Sequence, residues 1–166
     1  MLQLTPMSEK DYQRFIAWAI EDYAQEQVKA GTWPEEHAKA LAQQAFEARL
    51  PDGLSSANQF LYRIEREEDD VQVGELWWGL QEQGETRFAT LNDFHIFNEY
   101  RRQGYGSRAL EAMEEMIRQE GLESVFLHVF GHIEPARAMY RKMGYVERNI
   151  TMMKPTTGSA HQIPNK

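Results

Sequence analysis

The feature that most constrains the fold is a change of hydrophobic period around residues 101–110. Residues 88–97 alternate between two faces, as a strand does, and in residues 110–117 apolar positions recur at helical spacing. Gly104 and Gly106 lie at the junction, where glycine permits a positive φ and close approach of the backbone. The sequence therefore predicts a strand that turns directly into a helix.

The start of this helix is a candidate anion site. The first N–H groups of a helix lack carbonyl partners, and the aligned peptide dipoles place about half a positive charge there. Arg101, Arg102 and Arg108 add full charges, so we expect a phosphate or pyrophosphate. The alternative is that the glycines serve packing alone. Spacing excludes a Walker loop, and it excludes a dinucleotide fingerprint because Ala109 stands where the third glycine belongs.

Two sequence blocks carry a resemblance to a known family. Residues 101–106 read RRQGYG and fit the pattern Q/R-x-x-G-x-G/A, and residues 127–149 combine a strand with a helix bearing A-x-x-x-Y-x-K-x-G-F/Y. In both blocks the chain resembles the GNAT superfamily of acetyl-CoA-dependent N-acyltransferases. The resemblance implies an α/β fold, a single GNAT-like domain over residues 1–154 with a mixed, mostly antiparallel central sheet flanked by helices. Residues 155–166 are expected to form a disordered tail.

Net charge, hydropathy and the absence of cysteine limit the kinds of partner and chemistry that this chain can have. The net charge of −8 is concentrated in the first ninety residues, and such an acidic surface repels nucleic acid and attracts cationic amines. No apolar run approaches the roughly 20 residues of a membrane span, and the chain opens with no signal-peptide pattern. We therefore expect a cytoplasmic protein without a nucleic-acid or membrane partner. Because the chain has no cysteine, no disulfide or thiolate metal site is expected, and any acyl transfer should be direct.

Local signals predict the elements of the first half. A capping box at residues 8–11 starts a helix that residues 31–34 end, and a second helix continues to a turn at residues 51–53. Residues 60–64 and 71–80 alternate as an antiparallel hairpin. Together with the strand before the glycine junction, the hairpin should form a three-stranded meander.

The C-terminal part is predicted to complete the sheet. Residues 124–130 are apolar on both faces, which is typical of a strand in the middle of a covered sheet. Pro135 suits the first turn of the last helix, and Gly144 suits its C-terminal end. Val146–Lys154 is predicted to form a final strand.

The resemblance also implies catalytic residues. Tyr140 falls where the second block places the tyrosine that protonates the departing thiolate, and a core tyrosine is the alternative. Three residues are candidates for the base. Asp93 shares one face of its strand with His95, and His128 lies on the adjacent strand, where some family members carry a glutamate base. Any of the three could act through a water, and Glu75 on the preceding strand is a further acidic candidate. For each histidine the alternative is a hydrogen-bonded structural residue.

The resemblance further implies how acetyl-CoA binds. In the family, a bulge in the strand before the phosphate loop exposes main-chain groups that bind pantetheine and polarise the thioester oxygen. The corresponding stretch is residues 94–97, from which His95, Ile96 and Phe97 are assigned. Ile133 stands where the family often has an asparagine that reaches the cofactor, a loss of about 0.5–1.5 kcal/mol if nothing replaces it. The predicted pyrophosphate contacts are Arg101, Arg102, Gln103, Gly104, Tyr105, Gly106 and Ser107.

The predicted function is that of an N-acetyltransferase that passes an acetyl group from acetyl-CoA to a primary amine by direct attack in a ternary complex. The acceptor is expected to be a small molecule or a peptide, and a homodimer is one expected assembly. The alternative is a non-catalytic acyl-CoA-binding regulatory module, which Ile133 and the lack of an evident base leave open. Trp18, Tyr23 and Trp33 are candidates for lining the acceptor pocket, with core packing as the alternative.

Overall fold

A five-stranded sheet organises the protein, whose computed structural model describes residues 1–154 and 156. The strands lie side by side in chain order. The first four are antiparallel to their neighbours, and the fifth lies parallel to the fourth. The predicted meander and the mixed, mostly antiparallel sheet are therefore confirmed. The strands are β1 (Leu2–Pro6), β2 (Gln59–Arg66), β3 (Gln72–Gln83), β4 (Thr86–Ile96) and β5 (Val125–Leu127).

Helices connect and cover these strands, and their ends follow the local signals. The Ser8 hydroxyl accepts the Asp11 N–H at 3.3 Å, and the Asp11 carboxylate accepts the Ser8 N–H at 3.0 Å, which confirms the capping box. Gly31, with φ of +72°, follows the first helix, and Pro34 precedes the second. The helices in the described part of the chain are α1 (Glu9–Lys29), α2 (Glu35–Arg49), α3 (Tyr105–Gln119) and α4 (Glu134–Lys142).

Both faces of the sheet are covered, as two adjacent tryptophans of β3 demonstrate. The Trp77 ring lies 6.5 Å from Phe15 of α1 and 5.6 Å from Phe46 of α2. Trp78 belongs to the core on the opposite face, which is formed with α3 and which Tyr140 of α4 also contacts. Each tryptophan is only 1% exposed, because successive strand residues point to opposite faces and each face is packed. The sheet therefore separates an α1–α2 side from an α3–α4 side.

The predictions for the C-terminal end of the sheet were wrong in two respects. Val146–Lys154 forms no regular secondary structure, and Val146, Ile150 and Met152 are exposed. As a consequence β5 is the edge strand rather than a central one, and Phe126 within it is 45% exposed. Alternating apolar residues supply strand propensity, but a strand also requires hydrogen bonds to a neighbouring strand, which the pattern does not determine.

The described elements pack as a single domain with helices on both sides of the sheet, as predicted. The disordered tail predicted over residues 155–166 lies outside the described residues, apart from residue 156. Within the part of the chain that is described, none of the helices combines the length and the apolar character needed to cross a bilayer.

Candidate active site

A bulge in β4 marks the centre of the site. Trp77 of β3 pairs with Asp93, whereas the next residue, Trp78, pairs with Leu91. Asn92 is therefore the extra residue on β4, and it has no counterpart on β3. A bulge was expected from the resemblance near residues 94–97, and the structure has it at Asn92 instead.

Side chains from three strands hold this bulge. The Gln59 side-chain oxygen accepts hydrogen bonds from the Trp77 indole N–H at 2.7 Å and from the Asn92 amide at 3.2 Å. A Cβ atom at Gly79 would lie 2.8 Å from that oxygen, so only glycine leaves room for the arrangement. Because the contributing residues are far apart in the sequence, no local pattern predicts the bulge.

β4 and β5 separate at the bulge. Their parallel pairing ends with Leu91 opposite Leu127, and no described strand pairs with β4 on that side beyond this point. The Phe97 N–H donates to the Val73 carbonyl of β3 at 2.9 Å. Since main-chain groups of alternate residues in a strand point to opposite sides, those of Phe94 and Ile96 face the open side. The two strands therefore diverge into a cleft lined by main-chain groups.

The three residues predicted to bind pantetheine differ in the direction in which their main-chain groups point. Ile96 turns its main-chain groups to the cleft, and its carbonyl accepts the Arg101 side-chain N–H at 2.8 Å. His95 and Phe97 turn theirs towards β3. Phe94, which was not among the assigned residues, has the favourable orientation instead.

The start of α3 has the predicted free N–H groups. Gly104 is the N-cap residue with φ of +79°, a left-handed conformation that glycine adopts without strain. The first main-chain hydrogen bond of the helix runs from the Arg108 N–H to the Gly104 carbonyl at 3.3 Å. No side chain of the described residues caps the N–H groups of the first turn. Gly106 has a different role, since a Cβ there would lie 3.0 Å from the Met139 sulfur of α4.

The loop before α3 is held by its own side chains. The Arg108 guanidinium donates to the carbonyls of Gln103 at 3.1 Å and Gly104 at 3.3 Å, and the Gln103 amide donates to the Glu99 carbonyl at 3.1 Å. Arg102 is exposed and has a positive φ of 64°. These contacts fix the loop in one conformation and keep positive charge around the helix start.

Asp93 lies next to the bulge on the α1–α2 side, and its environment is unusual. Burial, followed by the negative charges of Asp22 and Glu75, raises the pKa of Asp93 to about 8. The pKa of an aspartate rises in this way because the charged form loses solvation and meets like charges. Asp93 can therefore exchange a proton near neutral to mildly basic pH, as a general base must.

Tyr140 approaches from α4. Burial, and then the charge of Asp93, raises the pKa of its hydroxyl, so Tyr140 keeps its proton at neutral pH. Its ring lies edge-on to Tyr145 at 5.6 Å, and the Tyr145 hydroxyl donates to Glu114 at 2.7 Å. The Tyr140 hydroxyl makes no hydrogen bond to any other described residue. The protonated Tyr140 hydroxyl therefore lies close enough to Asp93 for the carboxylate charge to act on it.

The two histidine candidates differ in environment. His95 stacks on Trp18 of α1 with 3.8 Å between ring centres. Burial, and then the charge of Arg101, lowers the pKa of His95 to about 4, so the ring is neutral and weakly basic. Its Nδ1 atom is buried without a hydrogen-bond partner among the described residues. His128 lies beyond the end of β5, is exposed, and packs edge-on against Phe130 at 5.1 Å.

A cavity of about 740 Å³ opens on the α1–α2 side of the sheet, next to the end of β4. Of the three aromatic candidates, Trp18 lines this cavity, and Tyr23 lines a separate pocket of about 30 Å³ that also contains Asp93. Trp33 instead packs against Tyr23 at 5.4 Å. Sequence reasoning missed Asp22, since a single acidic residue on an exposed helix carries no signal. The residues lining the cavity are Arg14, Trp18, Asp22, Gln72, Glu75, His95, Phe97, Asn98, Glu99 and Arg101.

Comparison with known proteins identifies the family. Residues 13–145 match the model of the acetyltransferase (GNAT) family. YycN of Bacillus subtilis strain 168, described as an uncharacterized N-acetyltransferase, is 35% identical over 92% of this chain and 97% of its own. YdgE of the same organism, described in the same words, is 31% identical over 91% of this chain and 96% of its own.

Solved structures agree with these matches. A crystal structure of YycN superposes with a TM-score of 0.90 at 34% identity and covers 95% of this chain and 99% of that one. An aminoglycoside acetyltransferase from an uncultured soil metagenomic sample shares the fold, with a TM-score of 0.59 at 20% identity over 94% of this chain and 96% of that one. The chain therefore belongs to the GNAT family of acetyltransferases, acyltransferase enzymes that act on amine acceptors and generally use acetyl-CoA.

Proposed function

We propose that this protein transfers an acetyl group from acetyl-CoA to a primary amine by direct attack in a ternary complex. The observation that carries the proposal is the meeting of three features at one end of β4. These are a cleft lined by main-chain groups, a helix start with free N–H groups, and a titratable carboxyl group near a protonated tyrosine.

The residues around the cleft fit the cofactor. The free N–H groups of the first turn of α3 suit a pyrophosphate, and the loop arginines supply matching charge. The Ile96 N–H and the Phe94 carbonyl face the open side and suit an amide of a pantetheine arm, which needs one donor and one acceptor, whereas the Ile96 carbonyl is held by Arg101. When bound, acetyl-CoA supplies the acetyl group as a thioester whose sulfur leaves as a thiolate.

Asp93 and Tyr140 divide the proton transfers between them. Asp93 accepts a proton from the amine as its nitrogen bonds to the carbonyl carbon, and Tyr140 donates its hydroxyl proton to the sulfur as the carbon–sulfur bond breaks. The products are an acetamide and the free thiol, so the protons balance. His95, with its pKa of about 4, is too weakly basic for this role near neutral pH. His128 has no described contact that links it to the pair.

Two further expectations belong to the proposal. Exposed apolar side chains at Val146, Ile150 and Met152 support a homodimer that covers them, and light scattering at increasing concentration tests this. The cytoplasmic location stays a prediction.

The direct test is thiol release from acetyl-CoA in the presence of a panel of primary amines. An acetyltransferase releases free thiol in proportion to acetylated amine. A non-catalytic acyl-CoA-binding module would bind acetyl-CoA in calorimetry and release no thiol with any amine. That result would contradict the proposal.

A further inference from the structure

We propose that the acceptor is a small diamine or polyamine, whose second ammonium group binds Asp22 while the reacting amine lies at Asp93. This inference rests on the proposed transfer to a primary amine and specifies the class of acceptor.

The first step is the composition of one face of α1. Arg14, Trp18 and Asp22 are four residues apart, so they lie along one stripe of the helix, and all three line the cavity. Glu75 of β3 and His95 of β4 line it from the sheet. The cavity therefore lies between helix and sheet and is open to solvent.

The second step is which charges in the cavity are already balanced. Arg14 contacts the carboxylates of Asp11 at 3.4 Å and Glu75 at 3.3 Å, so its charge is used within the protein. Asp22, Glu99 and Arg101 also line the cavity, and none of them belongs to an ion pair within 4.0 Å among the described residues, although the charge of Arg101 acts on Asp22. Two acidic side chains against one basic side chain leave the cavity with a negative excess charge.

The third step is the position of Asp93 relative to the cavity. Asp93 does not itself line the cavity, but it faces the same side of the sheet as His95, two residues further along β4, which does line it. The charge of Asp22 acts on Asp93 and helps to raise the pKa of that carboxyl group. Like charges that influence each other in this way are stabilised when a cation binds next to one of them. A cation at Asp22 would thus favour the ionised form of Asp93, which is the form that accepts the proton of the amine.

The fourth step concerns the aromatic wall of the cavity. Trp18 is 37% exposed and stacks on His95, and the Phe97 ring lies 5.2 Å from the ring of that histidine. Such an aromatic wall suits a short chain of methylene groups, and it adds cation–π attraction for the ammonium group. The volume of about 740 Å³ accommodates a small polyamine. Charge, wall and volume together favour a flexible cation with at least two amino groups.

The test compares acceptors that differ in one amino group. Initial rates of thiol release at saturating acetyl-CoA are measured with 1,3-diaminopropane, 1,5-diaminopentane and spermidine, and with the matched monoamines propylamine and pentylamine. A lysine-containing tripeptide is included as a peptide acceptor. The inference predicts a higher kcat/KM for the diamines by about tenfold or more, because an interaction with a charged group contributes about 1.5–3 kcal/mol.

Asp22→Asn should remove this preference. Its expected effect is a rise in KM for diamines of about tenfold or more, with monoamines changed by less than about twofold. The matched control is Glu21→Gln, which removes the same charge from the adjacent residue, whose carboxylate instead pairs with Lys39 at 3.2 Å. The control should leave the preference unchanged.

Three outcomes would overturn the inference. The first is an equal loss of kcat/KM for diamines and monoamines in Asp22→Asn. The second is a higher wild-type kcat/KM for monoamines than for diamines, and the third is a higher wild-type kcat/KM for the peptide. If no amine is acetylated, the proposed transfer fails, and titration calorimetry with spermidine then decides the inference separately. Binding to the wild type that Asp22→Asn weakens would support it, and equal or absent binding would overturn it.

Discussion

The two sides of β4 are built in different ways. On the cleft side, the site consists of main-chain groups from one continuous stretch, residues 94–108, held by the side chains of that same stretch. On the α1–α2 side, it consists of side chains from α1, β3 and β4, which are far apart in the sequence. The cofactor side can therefore be recognised as a motif, whereas the acceptor side exists only in the folded protein.

The two sides also differ in charge. Arginines surround the start of α3, while on the other side the negative charges of Asp22 and Glu75 both act on Asp93. This difference suits the proposed binding of a polyanionic cofactor on one side of the strand and of a cationic acceptor on the other. The predictions below test whether each side can be changed without the other.

The largest expected effect is that of Tyr140→Phe, which acts where the two sides meet. Loss of the hydroxyl should lower kcat by about 100- to 10,000-fold, because a positioned general acid contributes that much. Binding of acetyl-CoA, measured by calorimetry, should stay near normal. The matched control is Tyr145→Phe, since Tyr145 lies 5.6 Å from Tyr140 but donates its hydroxyl to Glu114. A kcat for Tyr140→Phe equal to that of the wild type would make Tyr140 a structural residue.

Gly104→Glu should affect the cofactor side alone. Among the described residues, a Cβ at Gly104 would meet Arg108 at 4.0 Å, so the fold should survive the strain of a side chain at φ of +79° while the carboxylate repels pyrophosphate. The expected loss of acetyl-CoA affinity is about 100-fold, from charged contacts that contribute about 1.5–3 kcal/mol. Gly121→Glu is the control, because Gly121 has a similar φ of +74° and none of the described residues lies within 4 Å of a Cβ there. Equal affinity losses in both variants would contradict the assignment of the loop.

Asp93→Asn should change how stability depends on pH. Because the folded protein raises the pKa of Asp93 to about 8, it binds this proton more tightly than the unfolded chain does. Stability of the wild type should therefore fall as pH rises from about 4 to about 8, the interval between the two pKa values. Thermal unfolding across pH 5 to 9 should show the Asn variant gaining stability relative to the wild type. A constant difference in Tm would mean that Asp93 is not shielded from solvent.

Ile133→Asn should have the smallest effect. Ile133 is the N-cap residue of α4 and provides no side-chain hydrogen bond, so asparagine should stabilise the helix by about 1 kcal/mol. Acetyl-CoA affinity should stay equal or improve, because asparagine restores a polar group beside the cleft. Ile133→Val serves as the control for packing. A large loss of affinity in a folded Asn variant would mean that the cleft differs from the family pattern.

The features predicted correctly from the sequence are those that depend on near neighbours. The capping box at Ser8 and the helix end at Gly144, where φ is +95°, are set within a few residues. The bulge at Asn92 needs Gln59 and Gly79 from two other strands, so no local pattern contains it. The missing strand after α4 has the same explanation, because strand pairing depends on partners distant in the sequence.

The acceptor side shows this limit most clearly. Trp18 was a pocket candidate because it is a large aromatic residue, but its contact with His95 requires α1 to lie on β4. Asp22 was not a candidate, since the role proposed for it depends on its proximity to Asp93. In such a chain the motifs indicate the proposed cofactor site, and only the folded structure indicates the proposed acceptor site.

The most direct test of the account is the pH dependence of thiol release by the wild type. An acceptor whose own pKa lies well below 6, such as an alkoxyamine, keeps its ionisation out of the measured range. The account predicts that kcat/KM rises with pH to a plateau with an apparent pKa near 8, set by Asp93, and that Asp93→Asn loses this rise. A wild-type profile that is flat from pH 6 to 9, or a rise that persists unchanged in Asp93→Asn, would contradict the assignment of the base.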